Sequence, residues 1–310
     1  MSVYTPVSDA ALAAFLAGYD LGRPLRLTGI SAGVENSNFF LDTEKGSAVL
    51  TIFERLPTHE IPYFLDLTDW LGRADIPCPR PIPARDGRTL KTLCGKPAAI
   101  VQRLPGRSVE GRSPTAEEIT LLGRLLARMH RAGQDFPIHR PNPAGPRWWQ
   151  ETARRLRAHL CRDDVELMQD ELREQGQNAC QHLPRGVIHA DLFPDNVLFS
   201  AGRITGVIDF YYACDDLWLY DLAIVANAWC SRPDGPLDSA LSQILWEAYT
   251  SERPLAAGEE ACWFPLLRAA ALRFWLLRLD ARHFPRAGDL TQCKDPEEYR
   301  RILLARRTTC

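Results

Sequence analysis

Along its first hundred residues the chain sets apolar and polar positions in short alternating runs. "RPLRLTGIS" (23–31), "NSNFFLDTE" (36–44) and "SAVLTIFE" (47–54) each read as a strand, with "EKG" turning the second into the third. One helical stretch interrupts them. In "HEIPYFLDLTDWLGRADI" (59–76), Phe64, Leu67 and Leu71 recur at helical spacing, and the following "PCPRPIP" cannot continue a helix. Two further short strands are expected near 88–93 and 97–102.

Beyond "QRLPGRSVEG" (102–111) the period lengthens. "TAEEITLLGRLLARMHRAG" (115–133) predicts an amphipathic helix opening on a Thr115/Glu118 capping box. "CWFPLLRAAALRFWLLRLDA" (262–281) holds Arg268, Arg273, Arg278 and a proline, too much for a membrane span, and reads as a buried helix. On a helical wheel Arg273 falls with Leu266, Ala270 and Leu277, and Arg278 with Leu267, Ala271 and Phe274, so neither has a solvated face. Within this helical texture "GVIHADL", "NVLFS" and "RITGVIDF" stand out as short apolar runs divided by turns. The sum is an α+β chain in two lobes: a small antiparallel-sheet lobe over 1–101, a hinge at 102–106 and a large helical lobe over 107–310.

Composition narrows the partners. With 37 basic and 39 acidic residues the net charge is −2, which offers no electrostatic footprint for nucleic acid or an anionic membrane; a small molecule is the expected partner, with the chain a monomer or homodimer. Nine cysteines without a C-x-x-C pair suggest neither a disulfide framework nor a zinc site and read as reduced thiols in a cytoplasmic protein. The N-terminus lacks the basic and apolar regions of a secretory signal.

The chemistry concentrates in "GVIHADLFPDNVLFSAGRITGVIDFYYACDD" (186–216). Two carboxylates and an amide at strand ends suit phosphoryl transfer, in which one carboxylate accepts the proton of the attacking hydroxyl while the other groups hold Mg²⁺ against the phosphates of ATP. His189-Ala190-Asp191 followed by Asn196 fits the H-x-D-x-x-x-x-N pattern, and Asp209-Phe210-Tyr211 stands where a D-F-G triplet would begin. Taken singly, Asp195-Asn196 and Asp209 are ordinary turn residues. Their order and the strands between them favour the kinase pattern. His189 is read as a structural residue of the loop.

On "GVENSNFFL" (33–41), "VLTIFE" (49–54), "VIHADLFPDNVLF" (187–199), "GVIDFYYACDDLWLYDLA" (206–223) and "LRFWLLRL" (272–279) the chain resembles the aminoglycoside phosphotransferase and choline kinase superfamily, and within it the bacterial homoserine kinases. The resemblance implies an α+β, protein kinase-like two-lobed fold and ATP- and Mg²⁺-dependent phosphorylation of the homoserine hydroxyl on the route to threonine. It makes Asp191 the catalytic base, Asn196 and Asp209 the metal ligands, and Asp221 a structural acid behind the catalytic loop. Choline, ethanolamine or an aminoglycoside are the alternative acceptors. Two departures stand out. Ala190 replaces a frequent glycine, and "AVLTIFE" puts Thr51 or its neighbours at the strand position where a nucleotide-binding lysine is expected, a gap that a non-catalytic pseudokinase would share.

At the nucleotide end, "SAGVENSN" (31–38) is the candidate phosphate loop, with the backbone near Gly33 and the side chains of Asn36 and Ser37 as contacts; backbone groups of Gln102 to Leu104 are expected to pair with adenine. At the acceptor end, Tyr211, Tyr212, Trp218, Tyr220 and Trp229 form either an aromatic cage or core. Asp215 and Asp216 suit an ammonium group or solvent. Arg273 and Arg278 suit either an internal acid such as Asp221 or Asp280, or the carboxylate of an amino-acid substrate.

Overall fold

The computed structural model describes residues 4–30, 36–177, 179–285 and 294–308. Gly33 therefore lies outside the described residues, as do Cys293 and Cys310. The chain forms two compact units, Met1–Pro105 and Gly106–Cys310, and divides inside the 102–106 stretch.

In the first unit, helix α1 (Asp9–Leu16) precedes strands β1 (Pro24–Gly29), β2 (Asn36–Thr43) and β3 (Gly46–Phe53), then helix α2 (Ile61–Arg73), β4 (Lys91–Leu93) and β5 (Lys96–Gln102). The sheet is antiparallel throughout, in the order β1-β2-β3-β5-β4. Alternation along β2 and β3 sends Phe39, Leu41, Leu50 and Ile52 into a core closed by Leu12, Leu16 and Tyr19 of the α1 region. Sequence pattern alone did not reveal α1, whose residues are too short a run for helical periodicity to register. The β4–β5 turn uses Cys94 and Gly95, both at positive φ, as a two-residue hairpin loop of this hand requires.

The second unit runs through α3 (Ala116–Ala132), α4 (Pro146–Leu156), α5 (Arg162–Gly176), β6 (Arg185–Ile188), β7 (Val197–Ser200), β8 (Arg203–Val207), β9 (Cys214–Leu217), α6 (Trp218–Trp229), α7 (Ser239–Glu252), α8 (Trp263–His283) and α9 (Pro296–Arg307). The Thr115/Glu118 capping box closes on α3 as expected. Gly123 of α3 faces α7 so closely that a Cβ there would meet the Leu245 carbonyl at 2.8 Å, which only glycine avoids. Trp218, Tyr220 and Trp229 are buried on α6. They are core, not a cage.

Two small hairpin-like sheets, β6 with β9 and β7 with β8, carry the loops between these helices. β9 is a correction: "CDDL" reads as an acidic loop, yet it pairs with β6 through Val187–Asp215 and Gly186–Asp216. The cysteines need a second correction. Cys180 and Cys262 form a disulfide across 82 residues, a proximity that fold and not spacing creates, while Cys78, Cys94, Cys161, Cys214 and Cys230 are free thiols. Among the described residues no helix is long and apolar enough to cross a membrane.

Candidate active site

The turn after β6 carries His189, Ala190 and Asp191, and its shape is set from behind by α6. Asp221, fully buried, accepts the backbone N–H groups of His189 (2.8 Å) and Ala190 (2.9 Å) and bonds His130 Nε2 at 3.1 Å. His130 of α3 in turn meets the Tyr249 hydroxyl of α7 at 2.8 Å. Burial works to raise the Asp221 pKa, but the hydrogen bonds from His130 and the His189 backbone outweigh it and hold the carboxylate below its ordinary range. Burial keeps both histidines below theirs.

His189 has a defined role. Nε2 lies 3.0 Å from the Ile208 carbonyl and must donate to it, so Nδ1 is the acceptor for the Asp191 backbone N–H at 3.2 Å. The neutral ring thereby ties the 189–191 turn to the end of β8.

Asn196, in a 3-10 turn between Asp191 and β7, donates from Nδ2 to the Asp191 carbonyl (2.8 Å) and to its carboxylate (3.3 Å). The amide nitrogen is thus engaged with Asp191, and Oδ1 is the atom chemically suited to a hard cation. Asp209 follows β8 in a left-handed conformation, φ +64°. Burial first, and the negative charge of Asp209 second, push Asp191 well above the usual carboxylate range, against the opposing charges of Arg273 and Lys294. Asn196 and Asp209 therefore both act on Asp191. Lys294 also pairs with Asp195 at 2.8 Å. An amide oxygen and a carboxylate fit Mg²⁺, which retains water and phosphate oxygens and needs no all-protein cage; no group of three or more His, Cys, Asp or Glu suited to a metal occurs among the described residues.

The acceptor-side residues distribute differently from expectation. Asp215 accepts the Arg140 backbone N–H at 2.7 Å, and Asp216 accepts the Asn142 amide at 2.7 Å, so both acids bind the 140–142 segment. Arg278 donates to the Asp295 carbonyl and to Glu298, both at 2.7 Å, and lies over Tyr299. It is committed to α9. Neither arginine pairs with the acids foreseen: Asp221 takes His130, and Asp280 takes Arg155. Arg273, 1% exposed, instead donates to the Ala190 carbonyl. Tyr211 is half-buried in the turn after Asp209.

In the first unit, the Ser37 hydroxyl accepts the N–H groups of Tyr4 (2.8 Å) and Thr5 (3.1 Å) and donates to Glu54 (2.5 Å), which argues against a phosphate contact through that side chain. Asn36 Oδ1 accepts the Glu54 N–H at 3.4 Å. Thr51 donates to Asn38 across β2 and β3, Lys45 pairs with Asp20, and Lys96 pairs with Glu54 and donates to Thr5. The backbone N–H of Gln102 donates to the Arg80 carbonyl at 2.9 Å, whereas Leu104 lies past the end of β5.

Sequence reading missed His130, Tyr249 and Lys294. A lone histidine on the buried face of α3 was the available signal for the first.

A family model described as "Phosphotransferase enzyme family" matches residues 26–255. A homoserine kinase of Neisseria meningitidis serogroup B is 45% identical over 305 residues, covering 98% of this chain and 99% of its own length. A homoserine kinase of Methylobacillus flagellatus is 45% identical over 303 residues, covering 98% and 94%. Among solved structures, an amicoumacin kinase in complex with AMP-PNP and Ca²⁺ superposes with a TM-score of 0.72 at 18% identity, covering 97% of this chain and 92% of that one, a likeness of fold. Matched along most of its length by one family model and nearly end to end by curated relatives, the chain belongs to the phosphotransferase enzyme family.

Proposed function

We propose that the protein is a homoserine kinase, transferring the γ-phosphoryl group of ATP to the side-chain hydroxyl of L-homoserine. The observation that carries this is the contact of Asn196 with Asp191 beside Asp209, on a chain 45% identical to homoserine kinases over nearly its whole length. Asp191 accepts the hydroxyl proton as the substrate oxygen forms its bond to phosphorus and the bond to the ADP oxygen breaks. Asn196 Oδ1 and the Asp209 carboxylate would hold Mg²⁺, which supplies positive charge against the phosphates. His189 Nδ1 holds the Asp191 N–H, and Asp221 holds the N–H groups of His189 and Ala190 just before it.

For the nucleotide we retain the Asn36 region and the hinge backbone at Leu104, with the Gln102 N–H and the Ser37 hydroxyl engaged elsewhere. For the acceptor we retain Tyr211, two residues after Asp209. Asp215 is engaged by the Arg140 N–H and Arg278 by Glu298. ADP release from MgATP, measured with L-homoserine, choline, ethanolamine and kanamycin offered separately, tests the reading. Turnover is expected with homoserine; preference for another acceptor overturns the substrate, and ATP binding without turnover favours a pseudokinase.

A further inference from the structure

Ala190, immediately before Asp191, has φ +63°. An L-residue in this region is strained by roughly 1–2 kcal/mol, so the surrounding contacts must hold it there. Both of its backbone polar groups are held by buried charged side chains. The N–H donates to Asp221 Oδ1 of α6 at 2.9 Å, and the carbonyl accepts from Arg273 Nη1 of α8 at 2.5 Å.

The Arg273 side is the unusual one. A buried guanidinium ordinarily needs a carboxylate, yet among the described residues none lies within ion-pair distance of Arg273, and its Nε has no hydrogen-bond partner. Its guanidinium lies over the rings of Tyr212 (5.3 Å) and Phe274 (4.6 Å). At 1% exposure it is closed to a substrate carboxylate.

We infer that Arg273 is a positioning residue for phosphoryl transfer: its hydrogen bond to the Ala190 carbonyl fixes the strained backbone from which Asp191 projects. The inference rests on Asp191 being the catalytic base. Misplacement of a reacting group by about 1 Å costs about 10²-fold in rate.

The test is steady-state kinetics of the full chain with MgATP and L-homoserine for Arg273→Met, Arg273→Lys and Asp191→Asn. Arg273→Met should lower kcat about 10²-fold while the homoserine KM stays within about threefold. Arg273→Lys, which retains a donor and a charge, should recover about tenfold of that loss. Should the Met variant fail to fold by circular dichroism, the Lys variant carries the same test, a fall in kcat at constant KM. A raised homoserine KM with kcat preserved makes Arg273 a substrate-binding residue and overturns the inference, as do unchanged kinetics. Turnover surviving in Asp191→Asn instead removes the catalytic-base reading, which separates the two failures.

Discussion

Asp221 is the residue on which the 189–191 turn depends. Its two oxygens take two backbone N–H groups and one imidazole, all buried, so its loss leaves several donors without partners. Replacing Asp221 by Ala should lower stability by about 3–5 kcal/mol in urea unfolding; a loss below about 1 kcal/mol would show that water or rearrangement satisfies those donors. Contacts of this kind differ in how far they can be read from sequence. Asn196 lies five residues from Asp191, and spacing alone brings such groups together. Arg273 reaches Ala190 across 83 residues and His130 reaches Asp221 across 91, distances over which no local pattern speaks. A helical wheel could place Arg273 indoors, but it could not name its partner.

At the scale of elements, the strands and helices with strong periodicity were legible, including β2, β3, α3 and α8. β9 was not, because its two acids belong to a strand whose outward side chains bind the 140–142 segment. The Cys180–Cys262 bond escaped for a related reason. It ties the turn before β6 to the turn before α8, the two elements that lead to the Ala190 carbonyl and to Arg273. Closing a loop of 82 residues restricts the unfolded chain, and reduction with dithiothreitol should lower stability by about 4 kcal/mol. Identical unfolding curves with and without reductant would mean that the bond does not form in solution.

At the scale of the whole molecule, the hydrophobic period lengthens beyond 102–111, while the chain divides into its two units between Pro105 and Gly106. Buried ionisable groups give the molecule a pH dependence. Burial holds His130 and His189 neutral, with folded pKa values below the unfolded value of about 6.5. The unfolded chain therefore binds protons that the folded chain refuses, and their contribution to stability is complete above about pH 6.5 and lost as the pH falls, by up to about 1.4 kcal/mol per pH unit for each histidine. Asp191 works the other way. Its raised pKa gives stability that is present at low pH and lost as pH rises through the folded value. Measured in Asp191→Asn, where that opposition is absent, stability should fall as the pH goes from 7.5 to 5.5. A flat profile would contradict neutral histidines.

Phosphorylation of homoserine with Asp191 as the base is what we propose for this chain. Its most direct test is the rate of ADP release from MgATP with L-homoserine as acceptor, in the intact chain and in Asp191→Asn. Turnover is expected in the former and a loss of about 10²–10⁴-fold in kcat in the latter, with the fold and ATP binding kept. Equal rates in the two proteins, or no homoserine-dependent release from the intact one, would contradict it.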